Sequence, residues 1–455
     1  TQNLVIGSFA SLALALAPRL WYQASVAEPY ALNAFYVALV LYLLIAWHQD
    51  GAPTAYWAAL TAYALSFGNH LSMILLLPAF LYVVEITDRS MLLRRRNLAY
   101  TAVIVAASAA QYLYIPIRAA ASPPLCNLCP EPSGSLFEYV GGPLLDYLTG
   151  GPFKAQMFAL PRRDVLARLP ESAGLVARQF MPWGAALGIV GAWELFHRRA
   201  ELAWALTLGL VAEYVFVVSY NIPNWHDFMT PVYVCAAPFV GYGALWLWEL
   251  FQPQVKALLI RGRTLAGHAY SAALVGLGVL SLALNLYAYL PLVDQSEQTG
   301  FEIRGRALLD RAEPEAWLLM PPPHSPELHY GWAVRYLSLA GGRSELVTVA
   351  PPEVDPPPGP PPTYRRWDDV APLLTPASMP DLGHQLLVLD WADDRFTGWG
   401  LLAICTPDSP TIAGYEVVAV LNRGRPMPLV DADRWQAIRD YVVFEGGEFR
   451  CPPGT

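Results

Sequence analysis

Charge is what this sequence has least of. Of 455 residues, 15% are Asp, Glu, Lys or Arg and 55% are hydrophobic, whereas a soluble chain carries about 25% charged residues. That shortage excludes a protein soluble throughout. The basic residues form no long stripe and the net charge is -8, which excludes a nucleic-acid partner. The sequence has no phosphate-binding glycine loop, no nucleophile elbow and no convincing internal repeat. It also shows no metal ligand set and no evident cofactor motif, although a divalent metal stays open.

Cysteine is scarce as well, with five in the chain. Cys235 falls in an apolar run and reads as a small packing residue. Cys126 and Cys129 form a C-x-x-C in a Pro-rich loop. One such pair is too little for a structural zinc site, so a local disulfide or two idle thiols are the expectations. Cys405 and Cys451 lie in the C-terminal third. The chain begins at Thr1 and enters an apolar run almost at once. A fragment without its natural N-terminus is expected, and a signal peptide cannot be judged.

What is abundant is apolar sequence, and it is unevenly placed. Residues 1–290 are long apolar stretches broken by short polar loops, while residues 291–455 read like an ordinary soluble domain. A helix needs about 20 apolar residues to cross the hydrocarbon core. Nine spans are predicted, at 4–17, 30–47, 54–67, 71–86, 98–116, 182–197, 201–218, 231–251 and 270–290. The third and fourth meet at Gly68-Asn69-His70, which fits either a helical hairpin or one long kinked helix.

Orientation follows from Lys and Arg in short loops. Arg89 and Arg94 to Arg96 share one loop, Arg198 and Arg199 a second, and Lys256, Arg261 and Arg263 a third. Placing all three in the cytoplasm makes the spans between them alternate correctly. The loop 117–181, the loop 219–230 and the whole of 291–455 then lie outside. With the hairpin reading, the loop 18–29 and the Gly68-Asn69-His70 tip also face outward, and the short outer loops hold only Arg19.

In the C-terminal domain, a strand from Ala316 to Met320, a helix from His329 to Ala340 and a strand from Leu346 to Val349 suggest a βαβ unit with a right-handed crossover. Pro351 to Pro362 hold eight prolines, an extended loop. Runs at Leu386–Leu389 and Val417–Leu421 read as further strands. A binding or scaffolding role fits this domain better than catalysis.

Ionisable and amide side chains at membrane depth point to function. Glu28, Tyr30 and Asn33 open the second span. Asn69 and His70 sit at the hairpin tip, Arg118 ends a span, and Tyr220, Asn221 and Asp227 lie in one outer turn. Glu213 lies about a turn and a half inside its helix end. Glu85, Glu194 and Glu249 sit at inner ends within reach of water. Each has a plainer role: Glu28 as a helix-end charge, His70 as a packing residue, Arg118 snorkelling to lipid phosphate, the aromatics as an interfacial belt. Their convergence on one surface favours function. A transporter would instead place polar groups near the midplane of repeated halves.

These residues also carry a resemblance. Ala27-Glu28-Pro29-Tyr30-Ala31-Leu32-Asn33-Ala34-Phe35 resembles the AEVYALNAF signature of the family filed as domain of unknown function 2723, which includes a eukaryotic protein O-mannosyltransferase. Gly68-Asn69-His70-Leu71, Tyr114-Ile115-Pro116-Ile117-Arg118-Ala119, Tyr220-Asn221-Ile222-Pro223 and Gly342-Arg343 follow in the family's order. The resemblance spans nearly the whole chain. It implies a GT-C glycosyltransferase fold: a membrane bundle of about nine helices followed by an α/β soluble extracytoplasmic domain. It implies transfer of a sugar, with mannose a candidate, from a polyprenyl-phosphate donor to a protein or cell-surface glycan acceptor. A bacterial plasma membrane is the expected location. Two departures stand out: Pro29 replaces the family's Val, and Asn224 replaces the Asp that usually follows Ile-Pro. The family's acidic Asp-Ser-Gly-Glu-type motif lies upstream of the first signature and nothing in this chain matches it, so the catalytic residue is unassigned.

With that resemblance, Arg118 is the candidate partner for the leaving phosphate, because a guanidinium binds phosphate through two hydrogen bonds. Glu28, His70 and Asp227 are candidates for donor or acceptor binding. Glu213 is expected to pair with Arg118 or hold the site open, and the walls near Tyr112 and Tyr114 to guide the lipid. A flippase of lipid-linked sugars and a non-catalytic anchor for the C-terminal domain are the rival readings. The parity argument gives the first test. Cysteine-accessibility mapping should label residues 291–455 only from outside the cytoplasm, and cytoplasmic labelling would refute the topology.

Overall fold

The computed structural model describes residues 4–120, 142, 144–222, 224–260 and 264–294. Beyond them it describes 302, 305–306, 309–310, 312, 316–319, 327–341, 347–349, 364–365, 386–388, 400–405 and 415–422. The C-x-x-C at Cys126 and Cys129, the Pro-rich loop 351–362 and Cys451 lie outside the described residues. By contacts the chain divides into two units: residues 1–114 with 145–295, and residues 115–144 with 296–455.

The first unit is helical. It contains α1 (Leu4–Ala15), α2 (Pro18–Ser25), α3 (Tyr30–Asp50), α4 (Pro53–Ser66) and α5 (Leu77–Asp88). Further on come α6 (Arg95–Ala109), which leads through one 3-10 turn to α7 (Tyr114–Ala120), all but its first residue counted in the second unit, then α8 (Arg162–Gln179), α9 (Met181–Arg198), α10 (Ala200–Ser219), α11 (Thr230–Ile260) and α12 (Thr264–Val293). A helix satisfies its backbone internally, as lipid demands.

Among the described residues, six helical segments are long and apolar enough to span: 30–50, 71–88, 95–118, 200–219, 225–254 and 268–293. The α1–α2 pair, bent by 60°, makes a seventh if it counts as one span. Of the nine spans expected, six or seven meet this length and composition, and α4 and α9 do not. The span predicted at 54–67 is α4, whose 14 residues reach about 21 Å, short of a core about 30 Å thick. The one at 182–197 is α9, where Glu194, His197 and Arg198 dilute the apolar run.

The choice at Gly68-Asn69-His70 resolves as a hairpin. Tyr63 and Phe80 have ring centroids 5.1 Å apart, and Tyr56 and Phe80 6.4 Å. Tyr56 and Tyr63, about two turns apart in α4, can both meet Phe80 only if the chain doubles back. The carbonyls at the end of α4 are capped from α6's C-terminal turn, since Gln111 Nε2 donates to Leu65 O (3.2 Å) and the Tyr112 hydroxyl to Phe67 O (2.7 Å). Helix ends leave such carbonyls unpaired otherwise. A Cβ on Gly68 would push the Gln111 side chain out of this cap.

The basic loops gather at the other end of the helices. Arg198 pairs with Glu194 at 2.8 Å on α9 and with Glu249 at 2.7 Å on α11. Arg89 lies 3.6 Å from Glu85. The inner-end glutamates read from sequence thus meet basic-loop cations.

In the second unit, β1 (Trp317–Leu319), α13 (Glu327–Ala340) and β2 (Val347–Val349) form the expected β–α–β order, with β1 and β2 parallel. The sheet adds β3 (Tyr364–Arg365), β4 (Leu386–Val388), β5 (Gly400–Cys405) and β6 (Tyr415–Asn422), in the order β3-β2-β1-β4-β6-β5. Sequence reading found β1, β2, β4 and β6. It missed β3, which is two residues long, and β5.

The tightest helix contact joins α9 to α11. A Cβ on Gly191 would overlap the Phe239 carbonyl and the Gly243 amide, and one on Gly243 would overlap the Leu187 carbonyl. Backbone cannot rotate away as a side chain can. Gly191→Ala should therefore destabilise the protein in detergent by about 1–3 kcal/mol. Gly188→Ala, whose Cβ would sit 3.5 Å from a Val240 methyl, should be near neutral. Thermal unfolding curves of the two variants check this; equal melting would contradict the close approach.

Candidate functional site

The site is built at the end of the first unit opposite the basic loops. Ala17 takes an extended conformation (ψ 125°) before Pro18, as a residue before proline must, and the chain bends 60° into α2. Sequence reading took residues 18–29 as an outer loop; most of it is instead this helix. Residues four apart share a helix face, so Arg19 and Gln23 point together. Both donate to Asp227 Oδ1, Arg19 through Nη2 and Gln23 through Nε2. Arg19 is further held by its backbone N–H donating to Gln179 Oε1 at 2.9 Å and by Tyr22, whose ring centroid is 5.1 Å from the guanidinium.

Asp227 sits in a 3-10 turn, Trp225–Met229, that leads into α11. Thr230 Oγ1 donates to its carbonyl at 2.9 Å. The side chains of Arg19 and Asp227 are 23% and 13% exposed, so the pair is shielded but reachable. Oδ1 takes both donors, which leaves Oδ2 for another partner. Gln23 Oε1, Arg19 Nε and the Tyr233 hydroxyl are buried close by without hydrogen-bond partners among the described residues.

A ring of aromatic and amide groups adjoins the pair. Tyr30, His70 and Phe228 are in mutual contact, with centroids 5.7 Å, 5.1 Å and 5.5 Å apart. Tyr220 meets Phe228 edge-on at 5.2 Å, and burial pushes its phenol up. Asn69 Nδ2 donates to Pro29 O at 3.2 Å, tying the α4–α5 turn to the start of α3. Asn33 Nδ2 donates to Ser72 Oγ at 3.4 Å. Glu28 is exposed at the rim, and its charge, with that of Asp227, acts on the Tyr30 hydroxyl.

The structure thus brings together Tyr30, Asn33, Asn69, His70, Tyr220 and Asp227, with Glu28 at the edge. Asn221 is exposed and contributes its backbone, N–H donating to Gln156 O at 3.0 Å. Glu213 is 1% exposed and lies about 10 Å from Tyr220 along α10. Glu213 has no ion pair among the described residues, and its neighbours are Tyr63 and Cys235. Cys235 is fully buried, as its packing role predicts. Arg118 is exposed on α7, belongs to the second unit and makes no ion pair among the described residues.

Sequence reading missed Arg19 as a site residue, together with Gln23, Ser72, Phe228 and Arg168. Arg168 crosses from α8 to donate to Tyr220 O at 2.6 Å and rests on Trp225, 4.9 Å from its ring centre. One signal was available: Arg19 is the lone cation of the short outer loops. No group of three or more His, Cys, Asp or Glu side chains suited to a metal occurs among the described residues.

The other face of α2 is apolar. Leu20, Trp21 and Ala24, with Leu14, Phe35 and Val234, line an apolar recess of about 450 Å³. An amphiphile with a polar head and an apolar chain would meet both faces of this helix.

Comparison with known proteins fits this geometry. Residues 1–92 match the family described as protein O-mannosyl-transferase TMEM260 N-terminal domain. No curated protein sequence matches the chain. Among solved structures, the chain is similar to ArnT from Cupriavidus metallidurans bound to undecaprenyl phosphate. Identity is 15%, the TM-score is 0.50, and the match covers 92% of this chain and 82% of that one. The fold is therefore ArnT-like, that of an integral membrane protein, and the resemblance to O-mannosyltransferase-like proteins read from the signatures agrees with the family match over residues 1–92.

Removing one partner from a shielded ion pair leaves the other uncompensated. Arg19→Met should therefore lower stability by about 3 kcal/mol. Arg89→Met, at a pair whose side chains are 67% and 57% exposed, should cost under about 1 kcal/mol. Unfolding of the purified variants in detergent checks the contrast, and equal losses would mean that the Arg19–Asp227 contact contributes nothing special.

Proposed function

We propose that the protein is a membrane glycosyltransferase that moves a sugar from a polyprenyl-phosphate donor to a hydroxyl acceptor on the extracytoplasmic face. Mannose is the first candidate sugar, and a protein or a cell-surface glycan the acceptor. One observation carries this reading. A single short helix, α2, offers Arg19 and Gln23 to a carboxylate on one face and lines an apolar recess with the other. A lipid-linked sugar has the same two-sided chemistry. The similarity to ArnT, a protein solved with undecaprenyl phosphate, and the match of residues 1–92 to an O-mannosyl-transferase domain support it.

Transfer requires a base for the acceptor hydroxyl and positive charge or hydrogen-bond donors for the leaving phosphate. Asp227 is the carboxylate best placed to meet an acceptor hydroxyl. Arg19 and Gln23 fix its orientation through the hydrogen bonds to Oδ1. Glu28, at the rim, is the second acidic candidate. The recess has room for the part of a prenyl chain nearest the head group. The soluble domain at 291–455 is assigned to the extracytoplasmic side, where it would present or select the acceptor. Arg118 remains a candidate for the donor phosphate on the strength of its motif.

The assay is sugar transfer from polyprenyl-phosphate mannose by full-length protein in proteoliposomes. Asp227→Asn keeps the shape but removes the charge, and should reduce turnover by about 10²–10⁴-fold. Arg118→Lys should reduce it about ten- to a hundredfold if the planar guanidinium holds phosphate. Wild-type turnover by Asp227→Asn would remove that residue from the chemistry.

A further inference from the structure

His70 is held more tightly than a packing residue needs. Its backbone N–H donates to Ser66 O at 3.0 Å, and its ring contacts Tyr30 and Phe228. It caps the 3-10 turn Leu71–Leu76, with Ser72 N–H donating to Nδ1 at 3.2 Å. The Ser72 hydroxyl lies 2.7 Å from the same nitrogen. That hydroxyl already accepts from Asn33 Nδ2 at 3.4 Å, so its own hydrogen is available for Nδ1.

These contacts decide where the ring proton sits. A nitrogen receiving an N–H and an O–H cannot carry a hydrogen of its own, and in a neutral imidazole the proton must then be on the other nitrogen. Nε2 has no partner among the described residues, and it is not among the side-chain atoms sealed from solvent without one. The ring therefore presents one fixed N–H outward. Burial reinforces this by pushing the imidazole down to about 4, so the ring is neutral at ordinary pH. The charged groups on the packed elements are Glu28 and Asp227, the latter offset by Arg19.

We infer that His70 is a fixed hydrogen-bond donor, its Nε2–H directed at an oxygen of the lipid-linked donor, and that it does not accept a proton during transfer. The inference rests on the glycosyltransferase reading for the identity of the ligand, but the direction of the hydrogen bond follows from the Asn33–Ser72–His70 chain alone. That chain also gives Asn33 a role: it orients the hydroxyl that orients the ring. The recognised chemistry is an accepting oxygen, supplied by either the phosphate or the sugar.

Two measurements on full-length protein in detergent test it. First, ¹⁵N-histidine NMR should show a His70 signal, identified by its loss in His70→Asn, with Nε2 protonated and Nδ1 bare from about pH 5.5 to 8. A signal that titrates in that range, or a proton on Nδ1, would overturn the inference whatever the protein's activity. Second, retention of polyprenyl phosphate and of polyprenyl-phosphate mannose is compared between wild type and His70→Asn. Asparagine keeps the cap on Ser72 and removes the outward donor, so folding should be unchanged while binding weakens roughly three- to tenfold. Weakening of both probes places the contact on phosphate, and weakening of the mannose-bearing probe alone places it on sugar. Equal retention by variant and wild type, with the expected NMR signature, would overturn the ligand contact while leaving the transferase reading intact. A wild type that retains neither probe would overturn that reading as well.

Discussion

The Arg19–Asp227 pair is the contact on which the site depends. It joins two residues 208 apart in sequence, one on the bent helix near the N-terminus and one in the turn before α11. In a hydrocarbon environment neither charge can rest alone. The carboxylate therefore fixes where α2 lies, and α2 in turn fixes the apolar recess on its other side. The bend at Pro18, the 3-10 turn at Trp225–Met229 and the cap from Gln179 all serve to bring these two charges together.

Around that contact the polar groups are graded by depth. Glu28 and Asn221 are at the surface, Asp227 is shielded but reachable, and Asn33 is 1% exposed and works through Ser72. Glu213, deeper still, is apart from the cluster. Such a gradient lets the outer groups meet a ligand while the inner ones hold geometry, which is how a preorganised site keeps its donors aimed without reorganisation. Salt bridges at the opposite end, centred on Arg198, lie in water-accessible positions and anchor α9 to α11 without any sign of a ligand site.

Much of this was legible in the sequence, for identifiable reasons. Apolar runs and the placement of Lys and Arg are local properties, so helices and the two ends of the bundle could be read directly. The cluster of Tyr30, Asn69, His70, Tyr220 and Asp227 was also legible, because all fall at helix ends of one parity. Two of the expected spans, α4 and α9, are apolar but too short or too polar at one end to match the other six or seven. The hairpin could not be chosen over a kink until Tyr56 and Phe80 were seen to meet. Arg19 was missed because its partner is distant in sequence, and the region around it looked like loop when it is helix. Arg118 was favoured for its motif and position, which say nothing about what its side chain faces.

The central claim is that a lipid phosphate docks at the α2 end of the first unit. Photocrosslinking measures this directly. A polyprenyl phosphate with a photoreactive group in its first isoprene unit is bound to full-length protein, irradiated and mapped by mass spectrometry. Adducts should fall on residues 14–24, on Phe35 or on Val234, which line the recess, and should be competed by unlabelled polyprenyl phosphate. Competed adducts concentrated instead around Arg198 and Glu249, at the opposite end of the helices, would contradict the account.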